Sequence, residues 1–69
     1  MTIYNKLKEL RHDLRMDQTQ FADFIGVNKN LYNKWENQKG QPSLEWCFKI
    51  QLKTGKQIQD FIIYKPDEN

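Results

Sequence analysis

The stretch Asp17-Gln18-Thr19-Gln20-Phe21-Ala22-Asp23-Phe24-Ile25-Gly26-Val27-Asn28-Lys29-Asn30-Leu31-Tyr32-Asn33-Lys34-Trp35-Glu36-Asn37-Gln38 decides how this chain folds. Asp17 followed three residues later by Gln20 reads as a capping box, in which each side chain satisfies a backbone N–H that the first turn of a helix leaves open. A helix therefore starts near Gln18, with Phe21, Ala22 and Ile25 as its buried stripe. Gly26 stops it, because glycine enters the left-handed conformation of a helix end without steric cost. Asn28 is a good N-cap for the next helix, which is expected to run to about Gln38. Two short helices are thus tightly joined through Gly26-Val27-Asn28. They cross, and the second one protrudes.

The protruding helix has two unlike faces. With Lys29 at zero and about 100° per residue, Lys29, Asn33, Asn37, Asn30 and Lys34 fall within an arc of roughly 140°. Tyr32 and Trp35 fall on the opposite side, with Leu31 at the edge of that apolar face. Two aromatics thus anchor the helix, while the outer arc holds only amides and ammonium groups. Lysine donates to the acceptors of guanine and asparagine forms a bidentate pair with adenine, so the arc suits the base edges of a major groove. No carboxylate stands on it to repel phosphates. A plain solvated helix face is the alternative, and the tight joint through Gly26-Val27-Asn28 argues against it.

Outward from this centre the chain continues in short helices. Leu7, Leu10 and Leu14, with Ile3 upstream, mark an amphipathic helix over roughly Tyr4 to Leu14. Gln38-Lys39-Gly40-Gln41-Pro42 is a turn, and Ser43 caps a fourth helix whose apolar positions include Leu44, Cys47, Phe48 and one of Ile50 or Leu52. Thr54-Gly55 ends it, and a short fifth helix is expected from about Gln57 to Phe61. Phe61-Ile62-Ile63-Tyr64 is β-branched and aromatic and precedes Pro66, so it also reads as a strand, with Met1-Thr2-Ile3 as a partner. The expected fold is all-α: a compact five-helix bundle, extended in this reading by a short two-stranded sheet from the termini. It forms one domain over residues 1–65, with a tail over 66–69.

Composition narrows the function classes. Sixty-nine residues make one small core and no second wall for a catalytic cleft. A single cysteine and a single histidine allow neither an internal disulfide nor a metal-ligand set. His12, Cys47 and the carboxylates form no nucleophile–base pair, so no enzymatic role is expected. No cofactor or small-molecule ligand is expected either. No apolar run is long enough to span a membrane and no signal peptide is evident, so the expected location is the cytoplasm. The net charge is only +2, but its distribution is uneven: residues 1–40 carry seven Lys/Arg against five Asp/Glu, and residues 41–69 carry four against four. A local basic surface is what a reader of duplex DNA needs.

With these residues in place, the chain from Asn5 to Phe61 resembles the Cro/C1-type helix-turn-helix domain of phage repressors and small bacterial and plasmid regulators, the XRE family. The matching pieces are Leu7-Lys8-Glu9-Leu10-Arg11, Gln18-Thr19-Gln20-Phe21-Ala22, Ile25-Gly26-Val27, Trp35-Glu36-Asn37 and Pro42-Ser43-Leu44-Glu45, in ungapped order. The resemblance implies that Gln18 touches a phosphate and braces the recognition helix. It implies that Lys29, Asn30, Asn33 and Lys34 reach base edges or nearby phosphates, and that Asn37 and Lys39 hold the sugar-phosphate backbone. Asn28, at the start of the same helix, is counted with this DNA-facing set. Arg11 and Glu36 match a structural ion pair between the first and third helices, and Ala22 matches a small residue where the second and third helices approach. Against the family pattern, Gln38 stands where glycine is usual and Gly40 follows two residues later.

The expected function is that of a sequence-specific regulator of transcription, a homodimeric repressor reading an inverted repeat in double-stranded DNA. A protein-interaction module, such as an antitoxin masking a toxin with its C-terminal apolar surface, is the alternative. Trp46 has two open readings, a dimer contact shared with Ile62 and Tyr64 or a lid over the small core. Cys47 reads as a small buried apolar residue, and His12 as a surface residue.

Overall fold

Strand pairing between the two ends of the chain frames the fold in a computed structural model, which describes residues Thr2–Pro66. Strand β1 (Thr2–Asn5) runs antiparallel to β2 (Ile62–Lys65), in a register that places Thr2 opposite Lys65, Ile3 opposite Tyr64, Tyr4 opposite Ile63 and Asn5 opposite Ile62. Between them lie five helices: α1 (Leu7–Asp13), α2 (Gln18–Ile25), α3 (Lys29–Glu36), α4 (Leu44–Thr54) and α5 (Ile58–Phe61). The expected five-helix bundle with a terminal two-stranded sheet is the observed architecture. Met1 of the expected first strand, and residues 67–69 of the expected tail, lie outside the described residues.

The first helix begins three residues later than its apolar period suggests. Tyr4 and Asn5 are drawn into the ribbon by Ile63 and Ile62, a partner nearly sixty residues away that no local period reveals. Asn5 then turns the chain into α1, its Oδ1 accepting from the Leu7 N–H at 3.1 Å. The Lys6 N–H donates to the Phe61 carbonyl at 2.8 Å, which ties this turn to the end of α5.

The other helix ends follow local chemistry. In the α2 capping box the Gln20 N–H donates to Asp17 Oδ1 at 2.8 Å and the Asp17 N–H donates to Gln20 Oε1 at 2.9 Å. At its far end Gly26 is left-handed with φ 86°, and the Gly26 and Val27 amides both turn back to the Ala22 carbonyl. Asn28 Oδ1 accepts from the Asn30 and Leu31 N–H groups at 2.8 and 3.4 Å, starting α3. Ser43 caps α4, and Gly55, left-handed with φ 77°, ends it.

A single core collects Leu7, Leu10, Phe21, Ala22, Ile25, Val27, Tyr32, Trp35, Cys47, Ile50 and Phe61. Fully burying each large side chain stabilises by about 1.5–3 kcal/mol before the entropy of ordering is counted. Four aromatics link α2, α3 and α4: Phe21 to Tyr32 at 5.3 Å, Tyr32 to Trp35 at 6.3 Å and Trp35 to Trp46 at 5.9 Å between ring centroids. The tilted and edge-on geometries suit the quadrupoles of the rings. In α4 the expected apolar set is only partly buried. Cys47 and Ile50, three residues apart, point into the core, whereas Leu44, Phe48 and Leu52 recur every four residues and stand exposed. An α-helix turns about 400° in four residues, so such a series drifts away from the inward direction. Burial pushes the Cys47 thiol up, away from thiolate, in keeping with its place in the core.

Candidate nucleic-acid interface

Buried charge fixes α3 from below. Arg11 on α1 donates through Nε to Glu36 Oε2 at 2.7 Å and through Nη2 to Oε1 at 3.3 Å. Its Nη1 donates to the Met16 carbonyl at 3.0 Å, so one guanidinium holds the end of α3 and the turn before α2 together. Side-chain exposure is 11% for Arg11 and 3% for Glu36, which makes this a desolvated pair rather than a surface one. Burial alone would raise the Glu36 carboxyl, but the hydrogen bonds from Arg11 and Gln18, with the Tyr32 hydroxyl nearby, outweigh it and hold the group below the ordinary carboxylate value. The Glu36 hydrogen bond in turn raises the Arg11 guanidinium despite its burial. Burial first, then the neighbouring carboxylate, pushes the Tyr32 hydroxyl far above its ordinary value, so it stays protonated.

From this pair a chain of amides runs to the surface. Gln18 Nε2 donates to Glu36 Oε1 at 3.1 Å, Asn33 Nδ2 donates to Gln18 Oε1 at 3.1 Å, and Asn37 Nδ2 donates to Asn33 Oδ1 at 2.6 Å. The direction is dictated by its first member. An ionised carboxylate only accepts, so Gln18 must present its nitrogen to Glu36, and each later amide follows in turn. The orientation of the Asn33 amide, on the outer arc of α3, is thereby set from the core.

The outer arc itself is open. Lys29, Asn30, Lys34 and Asn37 are exposed and Asn33 is half-buried. Lys39 follows in the exposed loop, its N–H bonded to the Lys34 carbonyl at 2.9 Å. The arc and the loop after it thus form one polar surface with three ammonium groups and no carboxylate, since Glu36 points inward. Asn28 is tied to the start of α3, its oxygen spent on the cap. Leu31, expected at the edge of the apolar face, stands 41% exposed beside the arc.

A second set of amides fixes the loop after α3, and sequence reading missed it. Gln38 is left-handed with φ 59°, a conformation that costs a side-chain-bearing residue roughly 1–2 kcal/mol. Its side chain offsets this by pairing with a backbone unit as a strand would. Gln38 Oε1 accepts from the Asn5 N–H at 3.0 Å, and Gln38 Nε2 donates to the Asn5 carbonyl at 2.9 Å. Asn5 Nδ2 donates to the Trp35 carbonyl and to Gln41 Oε1, each at 2.7 Å. The glycine usual in the family pattern is replaced by a glutamine that sews β1 to the end of α3. The only signal in the sequence was the odd residue itself.

This geometry has counterparts in known proteins. A helix-turn-helix family profile matches residues 7–61. The chain belongs to the helix-turn-helix family. It is also 38% identical over 64 residues to an HTH-type transcriptional regulator of Methanocaldococcus jannaschii, itself uncharacterized, an alignment covering 93% of this chain and 97% of that protein. Within the matched residues α2 and α3 form the helix-turn-helix pair. The family match stops at Phe61 and starts at Leu7, so the β1–β2 ribbon lies outside it.

The remaining residues singled out from sequence fall in two places. Trp46 lies half-buried against Trp35, with Lys49 Nζ 4.6 Å above its ring, and it borders an open groove with Ile25, Gly26 and Leu52. Its packing on the core agrees with the lid reading. Ile62 is half-buried against the core and Tyr64 is exposed on the ribbon opposite Ile3. Among the described residues no helix is long and apolar enough to cross a membrane.

Proposed function

We propose that this helix-turn-helix domain regulates transcription by binding double-stranded DNA sequence-specifically, as a homodimeric repressor on an inverted-repeat operator. One observation carries the reading: an exposed, carboxylate-free arc of Lys29, Asn30, Asn33, Lys34 and Asn37 on a helix pinned from below by a buried ion pair. A solvated face has no need of such anchorage. A face that must enter a major groove in one orientation does, since a shift of an ångström loses a bidentate base contact. The name of the archaeal relative, a transcriptional regulator aligned over almost its whole length, supports the same function.

Within this reading the residues divide by task. Lys29, Asn30, Asn33 and Lys34 meet base edges or adjacent phosphates, while Asn37, Lys39 and the α3 cap at Asn28 lie along the sugar-phosphate backbone. Gln18 touches a phosphate from the start of α2 and braces Asn33 against Glu36. Phosphate contacts supply much of the affinity and base contacts the choice of site. Two copies would set their recognition helices about 34–36 Å apart in successive major grooves.

Selection of binding sites from a random duplex library at near-physiological salt tests the proposal. Enrichment of an inverted repeat with half-sites one helical turn apart is expected. Weak, salt-sensitive binding with no enriched sequence would reject sequence-specific reading.

A further inference from the structure

The turn after α3 is stapled at both ends to the first strand. Gln38 and Gln41 are joined to each other, Gln41 Nε2 donating to Gln38 Oε1 at 3.0 Å. Gln38 also brackets Asn5 by accepting from its N–H and donating to its carbonyl. Gln41 accepts from Asn5 Nδ2 at 2.7 Å and donates to the Ile3 carbonyl at 3.4 Å. Ile3 and Asn5 are two residues apart on β1, so their backbone groups face the same edge of the strand. That edge lies away from β2, and the two glutamines cover it as a third strand would. Between them Lys39 and Gly40 are left as an exposed tip, with the Lys39 N–H anchored on the Lys34 carbonyl.

Asn5 joins the parts. It is 4% exposed, and a polar side chain so placed is costly unless its hydrogen bonds are made. Its oxygen starts α1 by accepting from the Leu7 N–H. Serine or aspartate would do that as well. Neither would also offer an amide nitrogen, and it is the nitrogen that reaches 30 and 36 residues along the chain to the Trp35 carbonyl and Gln41. The amide is thus the group that lets one residue start α1 and hold the turn together.

We infer that Asn5 is a positioning residue for DNA. Through Gln38 and Gln41 it keeps the turn in one shape, so that Lys39 is presented to a phosphate before the duplex arrives. The partner comes from the DNA-binding reading proposed above, on which this inference rests. What it adds is that β1, outside the residues matched by the family profile, belongs to the binding machinery. A free turn would have to be frozen on binding, and freezing one backbone residue costs roughly a factor of 5–30 in an equilibrium constant. Here that ordering is done when the chain folds. A lysine, whose ammonium is a point charge on a flexible stem, gains most from a fixed backbone beneath it.

The test releases the clamp and leaves the charge in place. Gln38→Asn is the first variant, since asparagine tolerates the left-handed conformation but is one methylene too short to bracket Asn5. Gln41→Ala releases the other end; Asn5→Ala is avoided because it would also uncap α1. Each variant should weaken binding about fivefold or more, and by the same factor on the selected site and on a scrambled duplex, because a phosphate contact carries no sequence information. In a Lys39→Ala background the same changes should cost less than about twofold, since the group they position is gone. Ile50→Val lowers stability from the core without touching the turn, and should leave the affinity of the folded chain unchanged. On free protein, the Lys39 amide should exchange its hydrogen about fivefold faster in Gln38→Asn than in the parent, while core amides of α4 keep their rates. The inference is overturned if both clamp variants bind like the parent, if their effects simply add to that of Lys39→Ala, or if Ile50→Val weakens binding as much. A parent chain that binds no duplex would refute the DNA reading itself. The exchange rates then decide the clamp alone: a faster Lys39 amide upholds it, and an unchanged one overturns it.

Discussion

Replacing Glu36 by alanine removes the acceptor for Arg11 Nε, Arg11 Nη2 and Gln18 Nε2 in one step. The guanidinium, 11% exposed, cannot turn outward to water, because its Nη1 is also held by the Met16 carbonyl. An orphaned buried charge costs about 3–5 kcal/mol. A domain of 69 residues has a total stability of roughly 3–10 kcal/mol at 0.05–0.15 kcal/mol per residue. Glu36→Ala should therefore remove a large part of the stability, and leave the protein substantially unfolded if the total lies at the low end. The diagnostic comparison is with an apolar pair. Arg11→Met combined with Glu36→Leu removes both charges together, so nothing buried is left unpaired, and replacing such a pair is often neutral. The double variant should be more stable than Glu36→Leu alone by about 2 kcal/mol or more, a non-additivity of the size seen for residues in one network. Equilibrium urea unfolding, followed by the fluorescence of Trp35 and Trp46, measures all the variants. If Glu36→Ala costs under about 1 kcal/mol, the pair behaves as an exposed one and its assignment as the buried anchor of α3 is wrong. If the double variant costs the sum of its singles, the two residues do not act together.

Three further outcomes are expected. Because folded Glu36 holds its carboxyl below the ordinary value, the stability it contributes is present above the ordinary carboxylate range and is lost as pH falls through its own folded value; the gap in urea midpoint between the parent and Glu36→Gln should narrow on acidification, and a constant gap would refute the coupling. At the left-handed Gln38, alanine loses the bonds to Asn5 and keeps the strain while glycine loses only the bonds, so Gln38→Ala should be less stable than Gln38→Gly by about 1 kcal/mol, and Gln38→Gly should be no more stable than the parent; a stabilising glycine would show that the amide pairing contributes nothing. On DNA, Lys34→Ala should reduce discrimination at one base pair by about 1–3 kcal/mol, whereas Lys39→Ala should weaken all sequences evenly and lower the salt slope by about one; equal effects across a panel of operator variants would remove Lys34 from base readout.

What was legible in the sequence was whatever local chemistry decides. Asp17 with Gln20, Gly26, Asn28, Ser43 and Gly55 each act within four residues of themselves, and each ends or starts a helix where expected. The two-faced character of α3 was legible for the same reason, since Tyr32 and Trp35 are buried opposite the polar arc. Long-range partners defeat this kind of reading. Tyr4 and Asn5 left the expected first helix because Ile63 and Ile62 compete for their backbone, and Gln38 could hold a glycine position because Asn5, thirty-three residues away, accepts its side chain as a strand. In α4, hydrophobicity suggested Leu44, Cys47, Phe48 and one of Ile50 or Leu52 as core, but of these only Cys47 and Ile50 are inside.

The amide chain joins two properties that are usually treated apart. Glu36 belongs to the core by burial and to the outer face of α3 by consequence, since its charge compels the order Glu36, Gln18, Asn33, Asn37 in which each nitrogen faces the core-side oxygen. Glutamine at position 36 would keep the shape but could offer either end of its amide to Gln18, so the chain would lose its single direction. The surface amide would then be free to present donor and acceptor in either order, whereas the base contact proposed for Asn33 needs a fixed order. The buried carboxylate thus does more than hold α3 against α1. On the DNA-binding reading proposed above, it makes the outer arc of α3 present one hydrogen-bonding pattern before DNA arrives, so that less ordering remains to be done at the moment of binding.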